Sequence, residues 1–349
     1  MTALRLPARP DEDDGRLRPV PWRRMAGVIW RQHRFALAAV AVLLGALAVY
    51  EWLTGESLHH AWAAAIACHP AGSPACVGLD GTFQGMDNLL TGPTTPGGVF
   101  LQVVPVLIGA FAGAPVLARE METGTFRYAW TQGIGRLRWT VGKLVPLAVA
   151  VTAAAGAFTV LFAWYNQPWA AAGYVTPFSA RVFDLLGLAF AAWTLAAFAI
   201  GALAGMLIRR AVPAIAATLA VYAGLAFATG LWLREHYITP LVTHSTNLPG
   251  SAWIISHWYT KGGRLVSQSA ISQELRGYHH APATQVGPNT FQTVLDPVRY
   301  LTQHGYTNWT SYQPASRFWP FQWIEGGWLL ALSVLLVAAT VWLVRRRAA

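Results

Sequence analysis

Six apolar runs, each close to the length that crosses a lipid bilayer, constrain this chain more than any other feature of its sequence. A helix needs roughly 20 mainly apolar residues to span the hydrocarbon core. The runs are continuous rather than alternating, which favours helices that satisfy their own backbone hydrogen bonds over a barrel. We therefore predict an all-α membrane protein whose six transmembrane helices lie at about 35–53, 98–118, 144–164, 184–208, 211–233 and 326–344.

The distribution of basic residues predicts the orientation. With a cytoplasmic N-terminus, the cytoplasmic segments hold 18 of the 25 Lys and Arg residues, whereas the short outside loops, 54–97 and 165–183, hold one. Positive residues concentrate on the cytoplasmic side of membrane proteins. We therefore predict a multi-pass protein of the plasma membrane with both termini in the cytoplasm. The net charge of +10 then lies beside lipid headgroups, so the bilayer rather than nucleic acid is the predicted partner.

This topology divides the chain into four parts. Residues 1–34 form a cytoplasmic tail that ends in an amphipathic helix at the membrane interface, or in a simple basic flank. Residues 35–233 carry the first five spans, and residues 326–349 carry the sixth span and a basic cytoplasmic tail. Residues 234–325 lack a spanning run. We predict that they form an extracellular domain, the larger insertion between the fifth and sixth helices.

Both cysteines of the chain, Cys68 and Cys76, fall in the first outside loop. The residues between them, HPAGSPA, favour turns, and an external compartment permits oxidation. We predict a disulfide between the two. Free thiols and a metal site with His69 are the alternatives, although this spacing does not match common structural zinc sites.

Two glycines in the fourth apolar run, Gly201 and Gly205, are four residues apart. Small residues at this spacing let two membrane helices approach closely. We predict a helix-packing face at these glycines. The alternative is that they reflect only the general frequency of glycine in membrane helices.

The sequence contains little that could carry catalysis. Within the apolar runs Glu51 and Asp184 lie near the ends, so no carboxylate pair is predicted in the membrane. A phosphate-binding loop is also missing, because Gly142 and Lys143 are followed by Leu144 and lack the first glycine of the motif. We predict no catalytic residue, no metal and no cofactor bound by this chain. Energy for any uphill step must then come from elsewhere.

A polar segment, residues 119–143, lies between the second and third apolar runs. Its composition predicts a helix over 119–130, a glycine-containing turn at 133–135 and a helix that re-enters the membrane from 136. The alternative is a solvated connector, which would explain the charge but not the amount of specific polarity in so short a segment.

Residues 119–127 read R-E-x-E-x-G-T-x-R, and residues 131–139 read T-Q-x-x-x-R-x-R-W before Lys143 opens the next run. This segment resembles the permease subunits of bacterial ABC type-2 exporters. The six-span layout, the amphipathic N-terminal segment and the large insertion before the last span are also similar to that superfamily.

The resemblance implies the permease of an exporter, with a pathway between two subunits. The apolar residues that would line this pathway favour a lipophilic or amphipathic substrate. Two permease subunits, as a homodimer or with a second permease, would assemble with two ATP-binding cassette subunits, which hold ATP and Mg²⁺. The residues implied in the ATPase-coupling region are Arg119, Glu120, Glu122, Gly124, Thr125, Arg127 and Arg136.

Two other function classes stay open. A membrane sensor or assembly factor would bind a ligand with the extracellular domain and would show no ATP-dependent flux. A membrane-embedded transferase would need a catalytic set of His and acidic residues within 234–325, where no recognisable arrangement of such residues occurs.

Overall fold

The computed structural model describes residues 22–70, 72–87, 97–125, 135–245, 248–278, 284–287, 290–292 and 297–347 of the 349. The helices are α1 Trp22–Ala67, α2 Pro74–Gln84, α3 Gly97–Leu101, α4 Val104–Ile108, α5 Ala114–Thr123, α6 Arg136–Ala171, α7 Ala189–Ile208, α8 Ala211–Ala228, α9 Gln268–Tyr278, α10 Pro297–Gln303 and α11 Phe318–Arg347. The strands are β1 Leu241–Thr243, β2 Trp253–Lys261, β3 Arg264–Val266, β4 Thr284–Gly287, β5 Thr290–Gln292 and β6 Tyr306–Gln313.

Six stretches of the described chain are long and apolar enough to cross a membrane, which confirms the predicted number. They cover 31–67, 99–123, 136–171, 189–208, 211–236 and 315–346. The second stretch joins α3, α4 and α5 through a π-helical segment, Gly109–Gly113, and the fifth extends α8 through a second π-helical segment, Thr229–Leu233.

The first helix is longer than the sequence indicated. α1 has 46 residues, about 69 Å at 1.5 Å per residue, whereas the hydrocarbon core is about 30 Å thick. No proline occurs between Trp22 and His69, so nothing interrupts the helix. Residues 22–34, predicted as a separate interface element, are therefore continuous with the span. Glu51, predicted near the end of that span, lies inside the helix and is fully buried.

α7 occupies the centre of the helical bundle. It packs against α5, α6, α8 and α11, while α1 packs mainly against α6. In the most apolar window of each span, 61% of the α7 residues are buried but only 17% of those in the α1 and α8 spans. The α1 and α8 spans therefore present most of their surface outward.

A small sheet in residues 234–325 corrects the all-α prediction. Its strand order is β1-β6-β2-β3, and all neighbours are antiparallel. β2 and β3 are joined by Gly262 and Gly263, whose φ angles of 56° and 77° suit a two-residue hairpin turn. β4 and β5 form a separate two-stranded sheet. The part of the chain that the structure describes is thus mostly helical, with its β structure confined to this insertion.

The four-stranded sheet carries short helices and also contacts the bundle. Ile271 of α9 and Leu301 of α10 pack with Tyr306 of β6. Trp253 of β2 packs with Phe321 of α11 in a second, aromatic cluster that also contains Phe178, Phe183 and Phe318. This aromatic cluster fixes the insertion to the start of α11 and to the segment that precedes α7.

Candidate functional site

The polar segment, residues 119–143, includes the end of α5 and the start of α6. α5 ends at Thr123, because Gly124 adopts a left-handed conformation with φ 71°, which glycine accommodates without steric cost. The predicted helix over 119–130 is therefore too long. α6 begins at Arg136, as predicted. Residues 126–134, including Arg127 and most of the predicted turn, lie outside the described residues.

A buried ion pair joins the two ends of this segment. Lys143 of α6 donates a hydrogen bond to a carboxylate oxygen of Glu120 in α5, and their side chains are only 5% and 13% exposed. The Lys143 ammonium also lies 4.4 Å from the centre of the Trp139 ring. Removing one partner of such a pair leaves an uncompensated buried charge, so the pair holds the start of α6 against α5.

Glu122 connects the same segment to α8. Its Oε2 accepts a hydrogen bond of 3.2 Å from the backbone N–H of Ala211, the first residue of α8. A helix N-terminus has unpaired N–H groups and a partial positive charge, which a carboxylate satisfies. Arg136 donates a weaker bond of 3.4 Å to the carbonyl of Arg345 in α11. Arg119 and Thr125 are exposed beside these contacts.

The two glycines of α7 lie against the second span. A Cβ added to Gly201 would stand 2.7 Å from the backbone nitrogen of Ala114, and one added to Gly205 would meet the Ala114 carbonyl oxygen. On the facing side, a Cβ at Gly113 would lie 2.6 Å from the carbonyl oxygen of Phe198. The backbones of α5 and α7 thus touch, which is the contact that small residues permit.

A buried cluster of charges lies at the other end of the bundle. Arg234 donates from Nε to Glu325 Oε2 at 3.0 Å and from Nη2 to Glu325 Oε1 at 2.8 Å. Nη2 also bonds a carboxylate oxygen of Asp184. Glu325 accepts two further hydrogen bonds, from Trp193 Nε1 at 2.9 Å and from the Tyr237 hydroxyl at 3.3 Å. Glu325 is fully buried and Arg234 is 5% exposed.

This cluster was not predicted from the sequence. Arg234 is 50 residues from Asp184 and 91 from Glu325, so no local pattern links the three. One feature of the sequence could have indicated the cluster: each of the three residues lies at the end of an apolar run, and the predicted topology places these three ends at the same face of the membrane. The pKa of Asp184 is raised to about 6, mainly by burial, with Arg234 opposing the rise and Glu325 adding to it.

A cavity of about 370 Å³ opens beside the cluster, between the second span, α7 and α8. This volume is within the usual range for small-molecule sites. Gln102 in the second span donates a hydrogen bond to the carbonyl of Ala180 at its edge. The walls are mainly apolar, and their polar and aromatic members include Gln102, Asp184, Phe190, Trp193, Tyr222 and Arg234.

The predicted disulfide is confirmed. Cys68 and Cys76 are bonded to each other, which excludes the free thiols and the metal site with His69. The bridge connects the turn after α1 to the first turn of α2. Ser73 caps that helix by accepting a bond of 3.3 Å from the Cys76 N–H.

Comparison with known proteins bears on the first five spans and the polar segment between α5 and α6. The pattern of the family described as ABC-2 membrane transporter related matches residues 37–234, more than half of the chain. The chain belongs to this family. No curated protein and no solved structure gives a match. The resemblance predicted from residues 119–143 is thereby confirmed, and the protein is an ABC-2 type permease.

The region that matches the family pattern stops where the insertion of this permease begins. It ends at Arg234, so it contains Asp184 and Arg234 but neither the sheet nor Glu325 of α11. Membership in the family implies a membrane setting and an ATP-binding cassette partner. The sheet insertion lies beyond the part of the chain that defines the family.

Proposed function

We propose that this chain is the membrane-spanning subunit of an ATP-driven exporter, which moves a lipophilic or amphipathic substrate out of the cell. A separate ATP-binding cassette subunit binds ATP and Mg²⁺ and hydrolyses the ATP, and this chain carries no catalytic residue. The observation that carries the proposal is that α5, whose end is charged, is linked to α6, α7 and α8 in an ABC-2 type permease.

This linkage gives the segment a mechanical role. Glu120 and Lys143 tie α5 to α6, and Glu122 ties α5 to α8. The glycine contacts at Gly201 and Gly205 pack α5 directly on α7. Rigid, packed elements transmit displacement rather than absorb it. A partner that pushes on the exposed end of α5 therefore moves α5, α6, α7 and α8 together.

The proposed orientation puts this segment in the cytoplasm. The count of 18 of 25 basic residues on that side supports it, and so does the Cys68–Cys76 disulfide at the opposite end of α1, which suits an oxidising compartment. Both termini are then cytoplasmic, the membrane is the plasma membrane, and the insertion at 234–325 is extracellular.

The permease assembles as a homodimer or with a second permease. Faces of the first and fifth spans are free to contact such a subunit or lipid. Val42 and Val49 of α1 are 70% and 55% exposed, and Phe227 and Leu231 of the fifth span are 68% and 77% exposed.

Site-specific photo-cross-linking tests the docking surface. A photoreactive residue at the exposed Thr125 is expected to capture the purified ATP-binding subunit, because Thr125 follows the end of α5 beside Glu122. The same photoreactive residue at Thr82, which is also exposed and lies on α2 beyond the other end of the first span, is the matched control. Capture at Thr82 but not at Thr125 would refute the proposed docking face.

A second measurement tests coupling. Glu122→Gln removes the charge that caps α8, so we expect stimulation of ATP hydrolysis by the permease to fall about fivefold or more. Glu56→Gln changes an exposed glutamate of α1 that lies 3.6 Å from His60, and it should leave stimulation unchanged. A sensor or assembly factor would show no stimulation even in the unaltered protein.

A further inference from the structure

The cavity beside Asp184 is a candidate substrate site because its charges do not balance. Glu325 accepts two hydrogen bonds on each carboxylate oxygen, two of the four from Arg234, and so neutralises that guanidinium. Asp184 adds a second carboxylate to a cluster that holds one guanidinium. Of the three groups, one is positive and two are negative, so the cluster carries a surplus negative charge.

The surplus charge is accessible from the cavity. Asp184 lines the cavity wall and its side chain stays 23% exposed, whereas that of Glu325 is 0% exposed. A charge in surroundings this apolar interacts far more strongly than in water. Asp184 shares the Arg234 guanidinium with Glu325. A cation that enters the cavity therefore meets the net negative charge of the cluster at Asp184, and an anion meets repulsion.

The aromatic walls select the kind of cation. Phe190, Trp193, Tyr222 and Phe227 all line the cavity, and the rings of Trp193 and Tyr222 meet edge to face at 5.3 Å. The faces of aromatic rings attract cations, most effectively weakly hydrated ones such as quaternary ammonium. A strongly hydrated ion such as Na⁺ would lose its water without compensation from these apolar walls.

We infer that this cavity binds lipophilic monovalent cations, and that such cations are the substrate class of this permease. The inference rests on the proposed transport function for its second part, while binding itself needs only this chain. The cation lies against the aromatic walls with its charge directed at Asp184, and its apolar groups extend along the second span and α8.

A pair of probes with the same shape and opposite charge tests the inference. Tetraphenylphosphonium and tetraphenylborate are compared by equilibrium dialysis against the purified full-length chain in detergent. We expect saturable phosphonium binding at least about tenfold tighter than borate binding. Asp184→Asn should weaken phosphonium binding about tenfold without weakening borate binding, since Arg234 keeps its bonds to Glu325.

Two further variants separate charge from volume. Asp80→Asn removes a carboxylate of α2 that accepts a hydrogen bond from Gln84 and does not line the cavity, and it should leave both affinities unchanged. Ala226→Phe fills the cavity wall and keeps Asp184, so it should weaken binding of both probes. Phosphonium binding that is unchanged in both Asp184→Asn and Ala226→Phe would overturn the inference, as would equal binding of the two probes by the unaltered chain.

A lipid headgroup offers the same quaternary chemistry and is tested directly. Binding is repeated in nanodiscs of phosphatidylglycerol and of phosphatidylcholine. Equal phosphonium affinity in both lipids supports a free cation as the occupant, whereas loss of binding in phosphatidylcholine alone would assign the site to the choline headgroup and refute the substrate inference. None of these measurements uses the ATP-binding subunit, so their failure leaves the cross-linking result at Thr125 intact.

Discussion

Arg234 shows how much of this permease depends on single side chains. It is buried between two carboxylates from other parts of the chain, Asp184 and Glu325, and lies 4.2 Å from the centre of the Phe183 ring. Its removal would leave both carboxylates buried and unpaired, a situation that costs far more than the ion pairs contribute when they are intact.

Arg234→Met is therefore expected to destabilise the protein by about 3–5 kcal/mol. Adding Glu325→Gln should recover part of that loss, because the neutral amide oxygen still accepts from Trp193 Nε1 and the amide NH2 donates to the Tyr237 hydroxyl oxygen. The midpoints of denaturant unfolding in detergent measure both effects. A double variant that is no more stable than Arg234→Met would show that the buried charge is not the source of the destabilisation.

The pH dependence of cation binding follows from Asp184. Its pKa is raised to about 6, mainly by burial, so it is ionised at pH 7 and becomes protonated as the pH falls through 6. Phosphonium affinity should drop about tenfold between pH 7 and pH 5, in proportion to the ionised fraction. Arg234, Glu325 and Tyr222 interact with Asp184 electrostatically, and Tyr237 donates a hydrogen bond to Glu325. In Asp184→Asn the affinity should be flat over this range.

At the scale of elements, the contact between α5 and α7 decides how the bundle packs. Gly201 lies against the backbone of the second span, whereas Gly224 of α8 has open space where a Cβ would be. Both glycines lie inside helices, so replacing each by alanine gives two variants that differ only in the space around the added methyl group. Alanine has a higher helix propensity than glycine by about 0.5–1 kcal/mol.

Gly201→Ala should destabilise the permease by about 1–3 kcal/mol, because the added methyl group forces the two helices apart. Gly224→Ala should be neutral or slightly stabilising. Thermal unfolding of the two purified variants provides the comparison. Equal unfolding temperatures would contradict the direct backbone contact between α5 and α7.

At the scale of the whole molecule, the orientation can be tested with single cysteines, since Cys68 and Cys76 are bonded to each other and do not react. Gln273→Cys, in the insertion, should be labelled in intact cells by a membrane-impermeant maleimide. Thr125→Cys should be labelled only after the cells are permeabilised. The opposite pattern would invert the proposed topology and place the charged segment outside.

Local properties explain what could be read from the sequence. The number of apolar helices follows from the length of each run, because a span satisfies its own backbone hydrogen bonds. The Cys68–Cys76 disulfide follows from two cysteines separated by a short turn, and the family follows from the charged residues at 119–143. The predicted limits of α1 and α5 were wrong by several residues. The length of α1 depends on the absence of a helix break after Trp22, and the end of α5 depends on the conformation of Gly124.

The sequence by itself therefore determined the membrane class, the six apolar helices and the family, each from a pattern within one short segment. Tertiary structure alone decided the sheet in the insertion, the central position of α7 and the cluster of Asp184, Arg234 and Glu325. The physical reason is distance along the chain. Strand pairing joins residues such as Tyr259 and Asn308, and the three charges meet only when α7, the fifth span and α11 pack together, so no local pattern contains either arrangement.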